Sequence, residues 1–79
     1  MSKNIKEKVF LIFSDIMDIP IDNLKLESNP DSISSWDSMS HVKLIMQIEH
    51  QFDVNLLPEE ATEMLSIKDA INIISNKIL

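Results

Sequence analysis

The sequence predicts an all-α fold of three main helices and one short helix, with a long loop between the first two helices. Three observations lead to this prediction. Apolar residues recur at helical spacing in three segments, no segment alternates as a strand would, and 79 residues suffice for one domain. We therefore expect residues 1–79 to form one domain around one core. A chain this short buries only about 60–65% of its unfolded surface, so an elaborate catalytic cleft is not expected.

The first helix is predicted over residues 3–17 from five apolar positions at helical spacing. These are Ile5, Val9, Ile12, Phe13 and Ile16. A loop follows from Asp18 to Trp36, because this segment contains Pro20, Pro30 and many Ser, Asp and Asn residues. Unstructured connections of this length are uncommon in small domains and are often functional. We expect its apolar side chains to attach it to the core: Ile21, Leu24, Leu26 and Ile33.

The second helix is predicted to begin after Asp37, a preferred N-cap residue, and to end near Phe52. Its apolar arc spans roughly 220°, which is wider than one buried face requires. The natural core face consists of Leu44, Ile45, Ile48 and Phe52. A neighbouring strip consists of Met39, Val42 and Met46. Either this strip is exposed as a docking surface for another protein, or the long loop covers it.

The last two helices have clear start signals. Pro58 lies in the first turn of a short helix that contains Glu59, Glu60 and Ala61, where its missing N–H costs nothing. We expect the acidic residues here, Glu59, Glu60 and Glu63, to form a solvated face. A pair resembling a capping box, Ser66 and Asp69, precedes the fourth helix. The apolar stripe of that helix consists of Ile67, Ala70, Ile71, Ile74 and Ile78.

Composition excludes several functional classes. Without cysteine there is no disulfide and no thiolate metal site, and His41 and His50 are the only histidines, so we expect no metal. The net charge of -6 disfavours nucleic acid and anionic lipid. No segment reaches the roughly 20 apolar residues that span a bilayer, and the apolar run after Lys8 ends at Ser14 without a signal-peptide cleavage site. We expect an unprocessed, cytoplasmic monomer.

The stretch from Trp36 to Ile74 resembles the acyl carrier protein family. Family members place Asp-Ser-Leu or Asp-Ser-Met at the head of the second helix, Glu and Phe near its end, an acidic short helix, and Asp-Ala-Ile in the last helix. The matching residues here are Asp37-Ser38-Met39, Glu49, Phe52, Glu59-Glu60-Ala61 and Asp69-Ala70-Ile71. The three-residue motif alone is common, but this order and spacing is specific.

The resemblance implies a four-helix bundle in which Ser38 is the attachment site of 4′-phosphopantetheine and Asp37 is part of the motif. The arm's thiol would hold acyl groups as thioesters. A phosphopantetheinyl transferase would use coenzyme A and Mg2+ to modify Ser38, and acyl- or aminoacyl-loading and transferring enzymes would be further partners. Ser38 would thus be a substrate, and the chain itself would not be an enzyme. Partner enzymes would contact Met39, Val42, Lys43 and Met46.

Ser38 also lies where an attached anion is favoured. It is the first residue of the predicted second helix, directly after the Asp37 cap. Free N–H groups and the helix macrodipole favour negative charge at this end. Many helices begin with Asp-Ser for capping reasons alone, so position by itself is weak evidence.

Departures from the family pattern indicate a specialised carrier. Ser40, His41, Lys43 and His50 replace residues that are often acidic, hydroxyl-bearing or neutral in housekeeping fatty-acid carriers. Trp36, together with His41, resembles free-standing carriers of secondary or cell-surface biosynthesis. The alternatives are a housekeeping carrier, an aminoacyl or D-alanyl carrier, and a helical adaptor without a prosthetic group.

The sequence also allows predictions for His41, His50 and Trp36. A Ser38–His41 hydrolase lacks a visible orienting group and oxyanion hole. We therefore expect His41 to be a surface residue near the arm. His50 is expected on the surface, and Trp36 is expected to anchor the loop.

Overall fold

The fold is a bundle of four helices. The computed structural model describes residues 2–78, with side chains from residue 5 onward. Its helices are α1 (Ser2–Met17), α2 (Ser38–Phe52), α3 (Pro58–Glu63) and α4 (Ile67–Ile78), and a 3-10 turn covers Ile21–Asn23. All regular structure within residues 2–78 is helical, which confirms the predicted all-α class. The predicted helix boundaries agree to within one or two residues.

The core lies between α1, α2 and α4, because α1 packs against both other long helices. Residues from every helical segment except α3 and the 3-10 turn contribute to it. The buried apolar side chains are Ile5, Val9, Ile12, Phe13, Met17, Leu24, Ile33, Trp36, Leu44, Ile48, Met64, Ile67, Ala70 and Ile74. Full burial of one large apolar side chain contributes about 1.5–3 kcal/mol, so these contacts dominate folding.

The long loop is attached partly by side chains and partly by its backbone. Leu24 and Ile33 are buried as predicted, but the same prediction is wrong for Ile21 and Leu26, which are 40% and 36% exposed. The backbone carbonyl of Leu26 instead accepts a hydrogen bond from the Lys68 N–H at 2.9 Å. Similarly, the carbonyl of Ser28 accepts from the Ile67 N–H at 3.3 Å. The loop therefore satisfies two N–H groups in the first turn of α4, which have no acceptor within the helix.

Two aspartates end the first two helices in a chain that contains no glycine. Asp18 and Asp53 have φ values of 57° and 55°, which is the left-handed conformation that glycine usually supplies after a helix. The following N–H groups then fold back: Ile19 donates to the Ser14 carbonyl at 3.2 Å, and Val54 donates to the Glu49 carbonyl at 3.3 Å. Aspartate tolerates this conformation better than most residues do.

Glu60 attaches α3 to α4 and to the start of its own helix. The Glu60 carboxylate accepts a hydrogen bond from the Leu57 N–H at 2.8 Å and forms an ion pair with Lys77 of α4 at 2.8 Å. Lys77 also lowers the pKa of Glu60 below its usual value, and the Leu57 N–H adds to this effect. Glu59 and Glu63 are exposed as predicted, whereas Glu60 is half-buried. At the start of α4, Ser66 Oγ accepts from the Asp69 N–H at 3.0 Å, as expected for a cap.

Candidate functional site around Ser38

Ser38 is the exposed first residue of α2. Asp37 precedes it as the N-cap, with extended backbone, and its carboxylate accepts a hydrogen bond from the Ser40 N–H at 2.9 Å. This is the arrangement predicted from the Asp-Ser sequence. The cap fixes where the helix starts, so the Ser38 side chain is presented at the helix terminus.

The electrostatic setting of Ser38 differs from the one expected from helix position alone. Hydrogen bonds from Ser40, backbone first, hold the pKa of Asp37 below its usual value, with a smaller contribution from the Met39 N–H. The carboxylate is therefore charged at neutral pH and already uses the Ser40 N–H. An anion attached to Ser38 would meet the positive helix end and one neighbouring negative charge. The helix terminus thus favours such an anion less than a helix without an acidic cap would.

Trp36 anchors the end of the loop, as predicted. Its indole is 6% exposed and meets the Phe13 ring of α1 edge-on, with 5.2 Å between ring centroids. Such aromatic pairs add about 0.5–1.5 kcal/mol beyond the area they bury. One residue earlier, Ser35 Oγ donates to the Met17 carbonyl at 2.8 Å. The two residues before Asp37 are therefore fixed to α1.

His41 is not the surface residue that we predicted. It is half-buried, and its ring stacks on the Trp36 indole with an interplanar angle of 18°. Trp36 Nε1 lies 2.9 Å from His41 Nδ1, and His41 Nε2 lies 2.8 Å from the Ala61 carbonyl oxygen. His41 therefore links the loop, α2 and α3. Sequence offered no signal for this bridge because Ala61 contributes only its backbone.

The bridge assigns the imidazole one protonation state. An indole N–H only donates, so His41 Nδ1 must accept; a carbonyl oxygen only accepts, so Nε2 must carry the proton. Both contacts are satisfied only by the neutral Nε2–H tautomer. Because both ring nitrogens are occupied, His41 has no free nitrogen to act as a base for Ser38. A Ser38–His41 hydrolase is incompatible with this arrangement.

An open groove of about 540 Å³ lies beside Ser38, between the start of α2 and the α3 region. Trp36 and His41 line it from the loop and α2, and Thr62 and Leu65 line it from α3 and the segment after α3. The complete lining is Pro30, Trp36, Asp37, Ser38, His41, Val42, Thr62 and Leu65. Asp37 is the one acidic residue in this lining, and the others are apolar or neutral.

The apolar strip on α2 is exposed, so the long loop does not cover it. Met39, Val42 and Met46 are 72%, 57% and 63% exposed. Lys43 is exposed beside them, and His50 is exposed further along the helix as predicted. The core face predicted for the same helix is buried at Leu44 and Ile48, and half-buried at Ile45 and Phe52.

The exposed side of α2 carries less negative charge than a strongly acidic helix would. The carboxylate of Glu49 accepts a hydrogen bond from the Leu56 N–H at 2.8 Å and is half-buried. It therefore stabilises the turn after α2 and is less available to a partner. Sequence reasoning treated Glu49 as a motif residue and did not predict this contact. Lys43 is exposed beside the apolar strip.

Known acyl carrier proteins are similar to the chain over most of its length. The acyl carrier protein of Picosynechococcus sp. is 32% identical over 77 residues, which cover 98% of this chain and 95% of that protein. The acyl carrier protein of Chlorobium phaeobacteroides is 37% identical over 73 residues, covering 92% and 94%. The chain belongs to the acyl carrier protein family. No protein-family model matches it.

The fold agrees with this family. A solution structure of the apo doublet acyl carrier protein from prodigiosin biosynthesis superposes with a TM-score of 0.78 and 23% identity. The superposition covers 95% of this chain and 36% of that longer chain. The predicted acyl-carrier-like bundle is therefore confirmed.

Family membership also confirms the predicted class of function. Acyl carrier proteins are not themselves catalysts; they carry phosphopantetheine and act together with enzymes. This carrier chain accordingly is not an enzyme. Within residues 2–78 no helix is long and apolar enough to cross a bilayer. Among the same described residues, no group of three His, Asp or Glu side chains could hold a metal ion.

Proposed function

We propose that Ser38 carries 4′-phosphopantetheine in a phosphodiester bond and that the chain presents acyl intermediates to partner enzymes. When bound, the group supplies a terminal thiol that holds acyl groups as thioesters. The observation that carries this proposal is the exposed Ser38 at the start of α2, directly after its Asp37 cap, in a chain of the acyl carrier protein family. The residues present fit the group, because the serine is accessible and a groove lies beside it.

Ser38 acts only as the acceptor in its own modification. Its hydroxyl oxygen forms a bond to the phosphorus that bears pantetheine, and the pyrophosphate bond of coenzyme A breaks. The hydroxyl loses its proton, and 3′,5′-ADP leaves. No base for this proton is needed within the carrier, because the transferase and Mg2+ supply the chemistry. The carrier's own contribution is to expose Ser38 on a fixed helix terminus.

The partner surface that we propose is the apolar strip of Met39, Val42 and Met46 together with Lys43. The strip lies next to Ser38 along the same helix, so an enzyme that reaches the arm would contact it. Its exposure and its flexible methionine side chains suit an adaptable interface. The phosphopantetheinyl transferase and the enzymes that load and transfer cargo are the partners in this proposal.

Replacement of Met39 tests the surface against a control elsewhere in the chain. Met39→Ala should slow transfer onto Ser38 roughly tenfold if this side chain anchors the transferase, as a well-packed interface residue does. Leu11→Ala is the matched control, because Leu11 is 59% exposed on α1. Equal rates for Met39→Ala and the native protein would contradict this surface. Circular dichroism of both variants would establish that they are folded.

The pathway that we propose is a specialised one, with an acyl cargo. The exposed side of α2 carries Lys43 and His50, and Glu49 is occupied by the Leu56 N–H. A housekeeping carrier is the alternative pathway, and an aminoacyl or D-alanyl group is the alternative cargo. We also propose that residues 1–79 are one carrier domain that works as a monomer. A cytoplasmic location stays a prediction.

Intact mass spectrometry tests the function directly. The protein is incubated with coenzyme A, Mg2+ and a broad-specificity phosphopantetheinyl transferase. We expect a gain of one phosphopantetheine in the native protein and in Ser34→Ala, which removes an exposed serine four residues away, and no gain in Ser38→Ala. An unmodified native protein, with the transferase shown to be active on another carrier, would favour the adaptor alternative. Acyl groups recovered from cells on the modified protein would identify the cargo.

A further inference from the structure

We propose that His41 is a positioning residue whose neutral imidazole latches α3 to the Trp36 loop and thereby sets the width of the groove beside Ser38. The latch consists of two hydrogen bonds, from Trp36 Nε1 to His41 Nδ1 at 2.9 Å and from His41 Nε2 to the Ala61 carbonyl at 2.8 Å. These bonds connect residues that are five and 20 positions apart in sequence. The latch is a property of the chain itself, whereas its effect on cargo rests on the proposed function.

α3 depends on few attachments, which is why one bridge matters. The helix spans six residues, and none of them is buried. Glu60 holds it to α4 through Lys77, at a half-buried ion pair on the surface. Met64, just after α3, is fully buried and fixes that end. The His41 bond to Ala61 ties the middle of α3 to α2.

The groove beside Ser38 lies between the parts that His41 joins. Trp36 and His41 line it from the loop and α2, and Thr62 lines it from α3. Because Thr62 directly follows Ala61, movement of Ala61 away from His41 changes the distance across the groove. Release of the latch therefore widens the space that adjoins a group attached to Ser38.

Protonation of the ring releases one side of the latch. An added proton converts His41 Nδ1 from an acceptor into a donor, and it would then face the donor-only indole N–H of Trp36. The elements around His41 carry both acidic and basic groups. These are Asp18, Asp22, Lys25, Glu27, Asp31 and Asp37 in the loop and α2 cap, Lys43, Glu49 and His50 on α2, and Glu59, Glu60 and Glu63 in α3.

NMR of the unmodified protein tests the latch with four forms. In the native protein we expect the Trp36 indole resonance to shift when acid protonates the His41 ring, because the two share a hydrogen bond. Protection of the Trp36 indole N–H from hydrogen exchange should fall roughly tenfold in the acid state, because its hydrogen bond to His41 Nδ1 is lost. His50→Gln serves as the matched control, since His50 is exposed on the same helix, and it should behave like the native protein.

Two substitutions at His41 separate a latch from general packing. His41→Gln keeps one donor and one acceptor but has no imidazole to protonate, so the Trp36 indole N–H should stay protected in acid. His41→Phe keeps an aromatic ring but removes both hydrogen bonds, so α3 protection should be low at every pH. Protection in α1 and α4 should be unchanged in all forms. An indole resonance that does not respond to His41 titration, or equal α3 protection in the native protein and His41→Phe, would overturn the proposal.

The effect on cargo is tested with the same protein after a transferase has moved octanoyl-phosphopantetheine from octanoyl-coenzyme A onto Ser38. We expect octanoyl loading to shift the Trp36 indole resonance and the Ala61 amide in the native protein. Loading that leaves both unchanged would overturn the role in cargo. A protein that gains no phosphopantetheine would instead refute the proposed function, while the titration of the unmodified protein still decides the latch.

Discussion

Two side chains on α2 test whether the helix separates a core face from a docking face. Ile48 is fully buried, whereas Met46, two residues earlier, is 63% exposed. Ile48→Ala removes buried methyl groups and leaves a cavity, which costs about 2–5 kcal/mol. Met46→Ala should change the free energy of unfolding by no more than about 0.5 kcal/mol. The helix propensity of alanine exceeds that of isoleucine and methionine by less than about 0.5 kcal/mol. Helix propensity therefore does not produce the expected difference in stability between the two variants.

Denaturation followed by circular dichroism measures both effects. A domain of this size has a free energy of unfolding of roughly 4–12 kcal/mol, so Ile48→Ala removes a large fraction of it. A loss of 1 kcal/mol lowers the Tm of such a domain by about 4–8 °C, so we expect a drop of at least about 8 °C. The Tm of Met46→Ala should stay within about 4 °C of the native value. Comparable losses in the two variants would refute the division of α2 into a buried and an exposed face.

Three further predictions concern charges and helix ends. Asp37→Ala should be less stable than the native protein above the usual aspartate pKa. Because hydrogen bonds lower the pKa of folded Asp37, this difference should shrink as pH falls below the usual aspartate pKa and through the lowered folded pKa. Asp37→Asn, an equally good cap, should keep stability near neutral pH. A constant deficit for Asp37→Ala at all pH values would contradict the charge effect. Lys77→Gln should raise the pKa of Glu60 towards its usual value in an NMR titration, and an unchanged pKa would contradict the ion pair. Asp53→Gly should raise the Tm, because glycine adopts a positive φ without the steric cost of a side chain, whereas Glu59→Gly within α3 should lower it.

The helices and the position of Ser38 could be predicted because their signals are local. Helical spacing of apolar residues placed α1, α2 and α4, and the cap residues Asp37 and Ser66 marked where α2 and α4 begin. The wide apolar arc of α2 also indicated a second apolar face beyond the core. Whether the loop covered that face depended on tertiary structure, and exposure of Met39 and Met46 settles it.

The connections between distant segments could not be predicted, because they use backbone groups that carry no sequence signal. The backbone carbonyl of Leu26 binds the loop to α4, while the Leu26 side chain is exposed. Hydrophobicity therefore identified the attached segment but not the atoms that attach it. His41 was assigned to the surface because helix position alone does not reveal Trp36 or Ala61 beside it. Its protonation state follows only once both hydrogen-bond partners are known.

Peptide mapping of the transferase-treated protein by mass spectrometry tests the central claim most directly. After proteolysis, the fragment ions locate the attached group on one residue. The account predicts a single phosphopantetheine on Ser38, in the peptide that contains Trp36 and Met39, and on no other serine. Phosphopantetheine on a different residue, or none while the transferase modifies a control carrier, would contradict the account.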